Sequence, residues 1–140
     1  ESQLKQVAPM VYKNTLAKTL ERLESIDRNR EMTDAIKGSL QRHGKQSKPF
    51  YYSQEQEMLD TLVLGENVRQ WKAKHGINGN VRDYFTVTQL NTLKQLQATN
   101  AALITLDMSY HERKGRLVEL AERLQANHPK SAIGNAQRGF

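Results

Sequence analysis

Residues 79–106, GNVRDYFTVTQLNTLKQLQATNAALITL, decide the fold class of this chain. Thr86 is followed three residues later by Gln89, the spacing at which a hydroxyl caps one backbone amide while the glutamine side chain reaches back to the cap residue. A helix starting at Val87 is predicted. Leu90, Leu93, Leu96, Ala101, Leu103 and Ile104 then recur in helical phase, covering more than the roughly 100° stripe of an ordinary surface helix. The helix is therefore expected to be central. Gln97 and Asn100 fall inside that face, where two polar side chains either set the register of a helical assembly or occupy a partly wet rim.

Working outward, 140 residues with 37% hydrophobic content suffice for one modest domain with a core, with an arm attached. Aromatic content of 6% and a mean hydropathy of −0.75 show that the apolar material is mostly aliphatic, arranged in helical stripes. Lys and Arg number 21 against 15 Asp and Glu, giving a net charge of +6, which favours acidic partners, nucleic acid first, or simply keeps the protein soluble. The absence of cysteine excludes disulfides, thiol chemistry and cysteine-ligated zinc. No run approaches 18 apolar residues, and the start ESQLKQVAPM lacks the layout of a signal peptide. A soluble, intracellular protein with no membrane contact is expected. A start at Glu1, without Met, is expected of a fragment or a processed chain with a domain upstream.

Near the N-terminus, Tyr12, Leu16, Leu20, Leu23 and Ile26 form one apolar stripe, opposite Lys18, Glu21 and Glu24. A second stripe, Met32, Ala35, Ile36 and Leu40, would point about half a turn away on a continuous helix. Either the helix breaks near Asn29 or it touches two partners. The stretch RHGKQSK, Arg42 to Lys48, reads as a loop closed by Pro49. Its Arg42, Lys45 and Lys48 could grip phosphates, and Phe50, Tyr51 and Tyr52 could stack on bases or pack on the next helix.

Ser53 and Gln56 repeat the capping spacing before Met58, Leu59, Leu62, Val63 and Leu64, which point to all sides, as in a buried helix ended by Gly65. The segment ENVRQWKAKHG predicts a short helix with basic Arg69, Lys72 and Lys74, stopped by Gly76 and anchored by Trp71. Arg82-Asp83 reads as an ion pair or a structural clamp before the central helix. Ser109 with Glu112 predicts a third cap, opening a last helix from Tyr110 to Gln125 with Leu117, Leu120, Ala121 and Leu124 on its buried face and Arg113 at the edge.

No catalytic pattern is found. His43, His75, His111 and His128 are scattered without a second ligand at the spacing of a helical zinc site, and there is no glycine-rich phosphate loop, no GxSxG turn and no paired carboxylates in an apolar setting. An enzyme, a cofactor and a metal are not expected.

Three stretches, FYYSQEQEMLDTLVLG, GNVRDYFTVTQLNTLKQLQATNAALI and SYHERKGRLVEL, resemble the C-terminal segment of bacteriophage regulators of the KilA-N and antirepressor type. The resemblance spans Phe50 to about Leu120. It rests on the aromatic entry Phe50 to Tyr52, the helix end Leu64-Gly65, Arg82 to Tyr84 before the capped Leu-rich helix, Asn100 with Leu103 and Ile104, and Glu112 to Lys114. The resemblance implies a phage or prophage protein of regulation or host takeover, in the cytoplasm of a bacterial host, and supplies no catalytic residues. Such regulators carry DNA binding in a separate N-terminal domain, whereas the first 48 residues here read as a helical arm.

Together these readings predict an all-α fold: a helical arm and basic linker over residues 1–48, coiled-coil or hairpin in form, a compact multi-helix core over 49–126, and a flexible tail over 127–140. Leu16, Leu20, Leu23, Ile26, Met32, Ile36 and Leu40 are the expected oligomer interface, giving a dimer or tetramer. The expected function is a phage regulatory module that self-associates and binds a protein such as a repressor or host factor. The alternative is a nucleic-acid-binding protein using Arg42, Lys45, Lys48, Arg69, Lys72 and Lys74.

Overall fold

The computed structural model describes residues 2–126, with side chains described from Leu16 onward; the expected flexible tail lies outside the described residues. The described residues are helical and include no strand. In order they form α1 (Ser2–Arg42), α2 (Pro49–Leu64), α3 (Val68–His75), a 3-10 turn (Val81–Tyr84), α4 (Val87–Thr105) and α5 (Tyr110–Ala126).

The start of α4 matches its sequence signal atom for atom. The Thr86 hydroxyl accepts from the Gln89 amide at 3.1 Å, and the Thr86 amide donates to the Gln89 side chain at 2.9 Å, closing the capping box. The Ser109 hydroxyl likewise accepts from the Glu112 amide, at 3.3 Å, at the head of α5. The cap expected at Ser53 is corrected. Helix α2 begins four residues before Ser53, at Pro49, whose missing N–H is harmless in the first turn, so the Ser53 hydroxyl sits inside the helix and donates to the Phe50 carbonyl. Gly65 and Gly76 end α2 and α3 in left-handed conformation, at φ 77° and 62°.

Helix α1 does not break near Asn29; it is continuous to Arg42. Pairings fix its direction: Glu21 meets Lys94 at 2.6 Å, Met32 meets the Asn100 amide, and Arg42 meets Asp107 at 2.9 Å, so α1 and α4 run parallel. Glu55 on α2 reaches Asn100, while Asp60 reaches Arg82 just before α4, so α2 runs the opposite way. Helix α5 follows α2, with Arg113 on Glu55 and Gln125 on the Leu62 carbonyl. The loop 43–48 and the α4–α5 turn therefore lie at one end of the bundle, while α3 and the 3-10 turn cross its other end.

The core between these helices is formed by Met32, Ile36 and Leu40 of α1, Met58, Leu59 and Val63 of α2, Phe85, Leu90, Leu93, Leu96 and Ile104 around α4, and Leu117 and Ala121 of α5. Each fully buried leucine contributes about 1.5–3 kcal/mol. Three of the expected interface residues are thereby corrected: Met32, Ile36 and Leu40 are buried in their own chain, and the second half of α1 is core rather than arm. The rim reading of Gln97 and Asn100 is corrected too, because neither has any exposed surface.

Candidate interaction surfaces

The continuity of α1 turns its two apolar stripes to opposite sides. At 100° per residue, Leu20 and Ile36 differ by about 160° in phase, so burying the second stripe directs the first to solvent. Leu16, Leu20 and Leu23 are 51%, 53% and 54% exposed, and Ile26 is half-buried. Among the described side chains, ion pairs tie α1 to the bundle at Glu21, with Lys94, and at Arg22, with Asp83 at 3.2 Å. The helical stretch from Ser2 to Leu20, about 28 Å long, precedes these pairs in sequence.

The six basic candidates do not converge. Arg42, Lys45 and Lys48 lie at the end of the bundle where α2 begins, whereas Arg69, Lys72 and Lys74 belong to α3, beyond the far end of α2. Sixteen residues of α2 separate the two groups, about 24 Å of helix. Two of the six are already engaged: Arg42 donates to Asp107 at 2.9 Å and to the Ile104 carbonyl at 3.4 Å, and Lys74 pairs with Glu66 at 3.2 Å. Trp71 packs against the core with its ring 4.4 Å from that of His75, as an anchor for α3.

Two buried arginines hold the helices in register. Arg82 donates to Asp60 at 2.7 Å and to Asn29 at 3.1 Å, joining the 3-10 turn to α2 and α1. Burial pushes the Asp60 carboxyl up from its ordinary value, against the pull of Arg82. The Arg82-Asp83 pair of the sequence is thus a clamp whose two charges have different partners, Asp60 and Arg22. Arg113 lies bidentate on Glu55, with Nη2 2.9 Å from Oε2, and also donates to Asn100 Oδ1 at 2.8 Å and to the Met108 carbonyl at 3.0 Å. Asn100 in turn donates to Glu55 Oε1 at 3.0 Å.

That second network is the inner wall of a cavity of about 330 Å³ at the end of the bundle formed by the α1–α2 loop and the α4–α5 turn. Ile36, Leu40 and Ile104 line its apolar part; Lys45, Tyr51, Gln54 and Tyr110 stand around it. Glu55 escaped the sequence reading because it belongs to the polar run SQEQE. Its signal was its place three and four residues before Met58 and Leu59, on their buried face. Among the described residues no three His, Asp or Glu gather where they could hold a metal ion, and no helix is long and apolar enough to cross a membrane.

No family model, curated protein or solved structure matches the chain.

Proposed function

We propose that the chain is a non-enzymatic regulatory module of a phage or prophage, which self-associates through the outer face of α1 and binds a protein partner such as a repressor or host factor. The observation that carries self-association is the exposed line Leu16, Leu20 and Leu23 on the outer face of α1. A second copy packed on that line would remove its apolar surface from water. Charge favours an antiparallel pairing: Ser2 to Leu20 contains Lys5, Lys13 and Lys18 and no acid, whereas Glu21, Glu24, Asp27, Glu31 and Asp34 follow. The regulatory role rests on the resemblance of Phe50 to Leu120 to KilA-N and antirepressor segments. The separation of the basic groups favours a protein partner over nucleic acid.

Light scattering coupled to size exclusion tests self-association. The wild type should run as a multiple of 16.1 kDa, and Leu20→Asp with Leu23→Asp should return it to that mass with helical content of the core retained. A wild-type monomer at micromolar concentration overturns the proposal. Capture of a repressor or host protein from cells carrying the source phage tests the partner.

A further inference from the structure

The cavity between the α1–α2 loop and the α4–α5 turn combines features that no packing role requires. Its volume of about 330 Å³ equals roughly ten water molecules at ~30 Å³ each, enough for a small organic group. The apolar side is made by Ile36, Leu40 and Ile104, all core residues held in place by the bundle. Apart from Lys45, the fixed charges on the wall are paired. Both oxygens of Glu55 are occupied, Oε1 by Asn100 and Arg113 and Oε2 by Arg113. Asp107 is held by Arg42, and His43 commits its Nδ1 hydrogen to the Ser39 carbonyl at 2.7 Å.

The donors left over point to a ligand. Lys45 lines the cavity, and among the described residues no carboxylate pairs with its ammonium. Tyr51, Gln54 and Tyr110 also line it, and neither tyrosine hydroxyl nor the Gln54 amide has a hydrogen-bond partner among the described residues. Burial and the neighbouring Glu55 raise the pKa of Tyr110, so its hydroxyl stays a neutral donor. One uncompensated positive charge, several neutral donors and an apolar wall suit an acceptor that is charged at one end and oily at the other.

We propose that this cavity binds a carboxylate carried on a small apolar body, with the carboxylate at Lys45 and the body against Ile36, Leu40 and Ile104. The chemistry is shared by a free amphipathic acid and by the C-terminal residue of an apolar-ended peptide. The site is independent of the outer face of α1 and stands whether or not the chain self-associates.

The test is a titration of the 15N-labelled full chain with 3-phenylpropanoate, 3-phenylpropanamide, and an acetylated peptide ending in phenylalanine in its free-acid and amidated forms. The acids should saturate, shifting the amides of Lys45, Tyr51, Gln54 and Tyr110, and should bind about tenfold more tightly than the matching amides. Lys45→Ala, an exposed loop substitution, should reduce the acids to the affinity of the amides. Ser39→Phe, which projects into the cavity, should abolish binding of all four. Tighter binding of the free acid identifies a small-molecule site, and tighter binding of the peptide acid identifies peptide C-termini as the source. No saturation at millimolar concentration, equal affinity for acid and amide, or an unchanged affinity in Lys45→Ala overturns the proposal.

Discussion

Arg113 and Glu55 are 58 positions apart in sequence and form a two-pronged ion pair with almost no water access, at 8% and 3% residual exposure. The pair joins α2 to α5, and through Asn100 it also grips α4, so three of the four long helices meet at one charged contact. Taking both charges from water is costly, and only a fully satisfied geometry offsets that cost. Here the offset is nearly complete, because the Arg113 Nε hydrogen also finds the Met108 carbonyl.

Removing one member should therefore be worse than removing the set. Glu55→Leu alone strands a buried guanidinium and should cost about 3–5 kcal/mol in urea unfolding. The combination Glu55→Leu, Asn100→Leu and Arg113→Met, which leaves no charge uncompensated, should recover more than half of that loss. A triple variant no better than Glu55→Leu would show that the network is irreplaceable by packing.

Gln97 presents the opposite case. It is fully buried on α4, and neither its amide nitrogen nor its carbonyl oxygen has a partner among the described atoms. Gln97→Leu keeps the volume and removes the desolvation penalty, so the urea midpoint should rise by the equivalent of about 1 kcal/mol with an unchanged slope. A lower midpoint would instead reveal a water bridging this amide to the backbone.

Two carboxylates make opposite contributions to stability against pH. The Arg42 hydrogen bond holds Asp107 below its ordinary value of 3.8, so its contribution is present above that value and is lost as pH falls through the lower folded value. Burial holds Asp60 above 3.8, so the folded state binds the proton more tightly and stability declines as pH rises through the window just above 3.8. Asp107→Asn, which keeps a residue tolerant of the φ of 61° found there, should flatten the acid-side loss. Asp60→Asn should lower stability throughout by stranding Arg82, yet remove the decline above 3.8. Parallel pH profiles for the two variants would contradict this assignment.

Random duplex DNA should bind only weakly even at low salt, because the two basic groups sit at opposite ends of α2 and Arg42 and Lys74 are already paired. Binding measured by fluorescence anisotropy would have to show a steep logarithmic fall with salt, about one unit per phosphate contacted, to restore the nucleic-acid reading.

Local signals in the sequence translated well where they acted through neighbouring residues. The Thr86 and Ser109 caps, the glycine stops at Gly65 and Gly76, and the apolar face of α4 all depend on contacts within one turn or one helix. Ser53 misled because its spacing to Gln56 is satisfied equally well inside a helix that Pro49 had already begun. Long-range choices were less legible. Two stripes half a turn apart left open which of them meets the core, and only the assembled bundle shows that Met32, Ile36 and Leu40 turn inward while Leu16, Leu20 and Leu23 turn outward. The partner of Arg113 was likewise hard to read, since within SQEQE only the spacing to Met58 and Leu59 sets Glu55 apart from Glu57.

The uninterrupted α1 sets a fixed phase between what its far end presents and what its near end grips. Residues 24–31 contain no glycine or proline that could bend or swivel the rod, so the body of the protein must follow any object that clasps Leu16 to Leu23. One residue inserted in that stretch would advance the outer leucines by about 1.5 Å and rotate them by about 100° around the axis, leaving both ends intact but misaimed. The angle at which anything docked on those leucines would stand to the bundle is thus written as a residue count in the shaft between them, where neither burial nor charge would betray it.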